Sequence, residues 1–134
     1  YIASLGNLFL WWGATAGLIV VLFLWLFGRD WRAGAALTGL VAGWLPWFLY
    51  QTRTIYSFYA VAFVPWLVLI VITCMALALG RDDASLSRRR WGAIIVIGYT
   101  VAAVAMFIWY YPIYTAQTIP REEWQWRLWF DFWT

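Results

Sequence analysis

The chain has no lysine and no histidine, one cysteine, and long stretches without charge of either sign. Each absence removes a class of chemistry. Without histidine and with a single thiol, no Ser-His-Asp set, thiol-imidazole pair or Cys/His zinc cluster can be assembled. Neither a metal nor a cofactor is expected. Cys74 lacks an intramolecular partner and lies inside an apolar run, so it reads as a small buried hydrophobe. Charged residues make up 11% of the chain and hydrophobic ones 66%, and 134 residues cannot hide that much apolar surface in a water-soluble fold. What is present fits a bilayer: 13 tryptophans and eight tyrosines suit extensive membrane-water boundaries. The net charge of +3 would suggest nucleic acid in a soluble protein. Here the arginines cluster beside apolar runs, so membrane orientation explains them and no nucleic-acid partner is expected.

Four uncharged runs are each long enough to cross a hydrocarbon core, which takes roughly 20 residues: Leu8 to Phe27, Ala33 to Tyr50, Phe58 to Leu79 and Gly92 to Tyr111. The expected fold is therefore an all-α integral membrane protein with four transmembrane helices over 1–111, whose backbone polar groups are satisfied within the helices. Small residues at four-residue spacing, Gly13 and Gly17, then Ala35, Gly39 and Gly43, predict close helix approach. Pro46 and Pro65 fall within the second and third runs and predict kinks there, framing a cavity or merely bending the helices.

The connections set the orientation. "GRDWR" (28–32) and "GRDDASLSRRRW" (80–91) carry six arginines on one side, while the other side holds Arg53, Arg121 and Arg127. The excess of basic residues places 28–32 and 80–91 in the cytoplasm, and both ends and the 51–57 loop outside the cell membrane. The chain opens on Tyr1 and enters a span within a few residues, and no signal peptide is apparent. It is expected to be a piece of a longer, processed or partly observed chain.

Beyond Tyr111, residues 112–134 form an aromatic tail. Pro120, Glu122 and Glu123 suit a helix start. A helix over 120–133 would align Trp126, Trp129, Phe130 and Trp133 on one stripe, as in an interfacial amphipathic helix. Glu122 and Glu123 could be offered as an acid-base pair, but neighbours in a helix point about 100° apart. The helix start accounts for both. Asp82 and Asp83 sit among arginines as solvated charge.

Arg53 is the cation of the outer loop, in "TRTIYSFYAVAFVPW" (52–66). At a helix start it would share a face with Tyr56 and Ala60, while Thr52, Tyr56, Tyr59 and Phe63 line an adjoining face. Two readings fit. The guanidinium fork and the tyrosine hydroxyls suit a lipid-linked phosphate at the outer surface. Alternatively, Arg53 reaches ordinary headgroups or caps the second span's carbonyls, with the tyrosines as a boundary belt.

"GNLFLWW" (6–12), "GWLPWFLYQTRTIYSFYAVAFVPW" (43–66) and "WRLWFDFW" (126–133) resemble, in order and over nearly the whole chain, the C-terminal four-helix region of the actinobacterial protein O-mannosyltransferases. One departure is "IYSFY", where many relatives carry a histidine just before a tyrosine like Tyr59. The resemblance implies a larger multispan lipid-sugar-dependent glycosyltransferase. It would move mannose from polyprenyl-phosphate mannose to Ser/Thr hydroxyls of exported proteins on the outer face. In such enzymes the catalytic acidic pair lies in a loop near the N-terminus, absent from these residues. This piece is then expected to be inactive alone, to act with the N-terminal part of the same enzyme, and to contribute no catalytic residue. An odd number of spans in the family puts the C-terminus outside, in agreement with the arginine counts. On that footing Arg53, Tyr56 and Tyr59 are the expected donor- or acceptor-binding residues, with Asn7 and Trp12 at the first span's outer entrance as weaker candidates. The competing class is a four-span membrane scaffold or accessory subunit without enzymatic activity, whose tail docks a partner. A small transporter fits less well, because such proteins place ionisable residues at mid-membrane.

Overall fold

The computed structural model describes residues 6–50, 52 and 57–129, and these are helical with no strand among them. In chain order they form α1 (Leu8–Leu26), α2 (Trp31–Trp44), α3 (Pro46–Leu49), a 3-10 helix (Ser57–Ala62), α4 (Val64–Leu79), α5 (Leu86–Tyr114) and α6 (Arg121–Arg127). The starts are set by side chains that accept from otherwise unpaired backbone N–H groups. Asn7 accepts from Leu10 N–H at 3.2 Å, Asp30 from Arg32 N–H at 2.9 Å and Ser85 from Arg88 N–H at 3.3 Å. Gly80 closes α4 at φ 77°, a conformation that a residue with a Cβ rarely adopts.

Both prolines that were expected to kink a span instead mark a boundary. α2 stops at Trp44, and Pro46 begins the separate one-turn α3. Pro65 sits in the first turn of α4, where no intrahelical partner is needed for the missing N–H. The second and third runs are thus each divided, into α2 with α3 and into the 3-10 helix with α4. Among the described helices, α1 at 19 residues and α5 at 29 are long and apolar enough to cross a membrane. Their side chains lie mostly on the outside of the molecule, unlike the core helices of a soluble protein. This is a membrane protein.

α4 lies at the centre, against α1, α2 and α5. The core joins Ala14 and Val21 of α1, Ala33, Ala36 and Leu40 of α2, and Phe63, Leu67, Ile70 and Val71 at and within α4. Small residues set the approach, as the spacing implied. A Cβ on Gly39 would lie 2.1 Å from the Trp66 indole, and one on Gly17 would meet Ile70 and Cys74. Ala35, grouped with them from the spacing, is exposed, and its neighbour Ala36 takes the buried place. No charged or polar residue is buried among the described residues, whereas Trp12, Ile19, Phe23 and Ile108 present large apolar side chains outward. That inversion of the soluble pattern suits lipid contact.

The chain reverses so that α1 and α4 end, and α2 and α5 begin, at one end of the bundle. Arg29, Arg32, Arg81, Arg88, Arg89 and Arg90 gather there. The far end carries α3, the 3-10 helix, the last turns of α5, and α6.

Candidate functional site

The far end is built on carbonyls that broken helices leave over. Where α2 stops, Leu45 N–H still donates to Val41 O at 2.8 Å, but Phe48 N–H has turned to Leu45 O. The Gly43 carbonyl is taken by the indole Nε1–H of Trp47 at 2.9 Å. That bond holds the Trp47 ring, and the Tyr59 ring from the 3-10 helix stacks on it with centroids 4.6 Å apart and planes 19° apart. Gly43 also faces Phe63 so closely that a Cβ there would lie 3.0 Å from the Phe63 Cβ, and Phe63 meets Trp11 edge-on at 5.8 Å. The end of α2, α3, the 3-10 helix and the starts of α1 and α4 therefore converge under one aromatic stack.

Of the residues expected to bind substrate, Tyr59 is placed here, half-buried against Trp47. Arg53 and Tyr56 lie outside the described residues. The 3.6-residue register expected after Arg53 does not run through this segment, because Ser57–Ala62 is a 3-10 helix with three residues per turn. Asn7 is a bracket: its side-chain oxygen caps α1 while its Nδ2 donates to Ala103 O of α5 at 2.9 Å. One turn further in, the Tyr99 hydroxyl donates to the Phe9 carbonyl, so α1 and α5 are tied at two successive levels. Trp12 is 68% exposed. Trp47, not singled out from the sequence, is the residue that orders Tyr59. Its signal was the proline one position earlier, beside which α2 ends and leaves its last carbonyls, Gly43 O among them, open to a nearby donor.

The tail forms a second constellation. Arg127 donates from Nε to Trp109 O at 3.0 Å and from Nη1 to Glu123 O at 2.8 Å, and its guanidinium lies 5.0 Å from the Trp109 ring centroid. In return, the Tyr110 hydroxyl donates to Arg127 O at 3.0 Å. α6 ends there, with Leu128 extended and its N–H turned back to Gln125 O at 3.1 Å, short of the expected 133. The expected start holds, with Pro120 preceding the helix and Glu122 and Glu123 in its first turn. The expected stripe does not extend along α6. Trp129 lies past the helix end and packs against Tyr110 at 5.8 Å, and Phe130 and Trp133 lie outside the described residues.

No group of three or more His, Cys, Asp or Glu side chains that could hold a metal occurs among the described residues. A small apolar cleft of about 130 Å³ opens between α1, α4 and α5, lined by Gly13, Cys74 and Tyr99 among others, and does not include Tyr59. With stacked aromatics and a few fixed carbonyls, the described part of the far end can position a ligand.

No family model and no solved structure matches the chain. Curated proteins do. A "Polyprenol-phosphate-mannose--protein mannosyltransferase" of Mycobacterium tuberculosis (strain ATCC 25618 / H37Rv) is 34% identical over 124 residues, which are 92% of this chain and 24% of that protein. The protein of the same name from Mycolicibacterium smegmatis (strain ATCC 700084 / mc(2)155) is 37% identical over 105 residues, 78% of this chain and 20% of the relative. One from Corynebacterium glutamicum is 26% identical over 124 residues. The chain spans about a quarter of the length of these relatives. The resemblance drawn from its motifs is thereby borne out: over nine-tenths of its length this chain is homologous to a segment of the polyprenol-phosphate-mannose–protein mannosyltransferases.

Proposed function

We propose that the chain is the C-terminal membrane region of a protein O-mannosyltransferase, a hexosyltransferase that moves mannose from polyprenyl-phosphate mannose to Ser/Thr hydroxyls of exported proteins. The observation that carries this reading is the likeness, over nearly the whole chain, to relatives bearing that name. In this reading the chain crosses the plasma membrane four times, α2 continuing into α3 and the 3-10 helix into α4 as the divided second and third spans. Residues 28–32 and 80–91 are cytoplasmic, and both ends and the 51–57 loop are extracytoplasmic. The division into a four-helix region over 1–111 and an aromatic tail over 112–134 follows from it. The arginine-rich end, with six arginines against three carboxylates, supports that orientation.

This region binds rather than catalyses. Arg53, Tyr56 and Tyr59 meet the donor phosphate or guide the acceptor peptide, and Trp47 holds the Tyr59 ring in place for this. The acidic catalytic pair comes from the N-terminal part of the same enzyme. A fixed cation facing the leaving phosphate stabilises charge that develops during transfer.

The test is mannose transfer from polyprenyl-phosphate mannose to a Ser/Thr-rich peptide, in membranes holding the full-length parent of this chain at matched expression. Arg53→Ala is expected to lower transfer roughly 100-fold, as for loss of one preorganised donor. Unchanged transfer would return Arg53 to a boundary anchor. No transfer by a well-folded intact protein would instead favour a membrane scaffold.

A further inference from the structure

Six guanidinium groups at the arginine-rich end are not equivalent. Arg81 faces Asp83 at 3.6 Å and Arg89 faces Asp82 at 3.7 Å, so each of these two cations has a carboxylate beside it. Arg88, though exposed, is tied back to the end of α4, donating from Nη2 to Leu77 O at 3.1 Å and closing the connection between α4 and α5. Asp30 is held as the cap of α2. Arg29, Arg32 and Arg90 remain exposed, with no carboxylate partner among the described residues.

Two of these three have a neighbour that fixes their depth. Arg32 follows Trp31, which is 75% exposed and lies beneath the guanidinium at 5.9 Å to the ring centroid. Arg90 precedes Trp91, which is 65% exposed. Exposed indoles settle at the headgroup level of a bilayer. Each tryptophan therefore holds its unpaired arginine at the depth of lipid phosphates, which a guanidinium can bind through two parallel hydrogen bonds. The far end offers no such excess among its described residues, where Arg121 and Arg127 are matched by Glu122 and Glu123.

We infer that the Trp31–Arg32 and Arg90–Trp91 pairs each offer a docking surface for an anionic phospholipid headgroup. Arg81, Arg88 and Arg89 do not contribute, although the sequence alone ranks all six arginines alike. These surfaces act apart from sugar transfer and do not depend on which side of the membrane this end faces.

The test reconstitutes the full-length protein in phosphatidylcholine vesicles with a trace of spin-labelled phosphatidylglycerol or spin-labelled phosphatidylcholine, and reads the motionally restricted lipid fraction. Phosphatidylglycerol is expected to be enriched over phosphatidylcholine roughly fivefold, the effect of one well-placed basic residue near the surface. The enrichment should collapse at about 1 M salt, where screening shortens to roughly 3 Å. Joint Arg32→Gln and Arg90→Gln should abolish it, Arg32→Lys with Arg90→Lys should keep most of it, and joint Arg81→Gln and Asp83→Asn should leave it within about twofold. Equal association of the two lipids with the intact protein overturns the inference. So does enrichment that survives the Arg32/Arg90 change or high salt, or that vanishes equally with the Arg81/Asp83 change.

Discussion

Gly39 has no room for even one more carbon. The position its Cβ would take lies 2.1–2.3 Å from three atoms of the Trp66 indole, a rigid bicycle held at the centre of the α2–α4 contact. Gly39→Ala should therefore destabilise the bundle by about 1–3 kcal/mol, the usual cost of overpacking. A lowered midpoint in thermal or detergent unfolding checks it, and an unchanged midpoint would mean the indole swings aside freely. The four-residue spacing of small residues pointed to Gly39 from the sequence but overshot at Ala35. Residues four apart drift by roughly 40° per step on a 3.6-residue helix. Three in a row cannot all face one partner, and nothing in the spacing says which is central. Asn7 was legible only as a residue at a helix entrance. Its bond to Ala103, 96 residues away, has no local signature.

At the scale of elements, α5 and the tail depend on each other. Tyr99, Ala103, Met106, Tyr110 and Tyr114 recur at three- and four-residue intervals on one face of α5. α1 engages Tyr99 and Ala103, and its described part begins at the level of Ala103. Above that level the tail takes over: Arg127 and Trp129 close on Tyr110, which is 1% exposed. Arg127→Ala removes the donors to Trp109 and Glu123 and should free the tail. Limited proteolysis between 115 and 129 is expected to quicken roughly tenfold, in line with about 1.5 kcal/mol for hydrogen bonds to a charged group, with helix content otherwise kept. Arg127→Lys, a charge without the planar fork, should fall between. Cleavage at the original rate in both variants would show that packing alone holds the tail. The helix start after Pro120 was readable from local chemistry. Its stop was not, because the groups that meet the helix end, the Tyr110 hydroxyl on Arg127 O among them, come from another helix.

For the whole molecule, apolar runs and arginine counts were enough to expect helices in a membrane. Where a run breaks was harder, since a proline can kink a helix, end it or begin it, and here the flanking packing decided. Of the expected binding residues, Tyr59 has a described place, and its partner Trp47 came from geometry. The orientation has a direct test in a Cys74→Ser background with a membrane-impermeant maleimide on intact cells. Thr118→Cys should label at once and Ser87→Cys only after permeabilisation, both positions being exposed. The reverse pattern would invert the topology. The Asn7–Ala103 bond carries a further consequence. α5 runs eleven residues past Ala103, which is about 16 Å of helix. It stays apolar and largely exposed as far as Tyr111. Above the level at which Asn7 caps α1, apolar surface on the α5 flank thus continues for about two turns. Lipid lying beside α5 therefore meets apolar side chains over that added length, up to Tyr111.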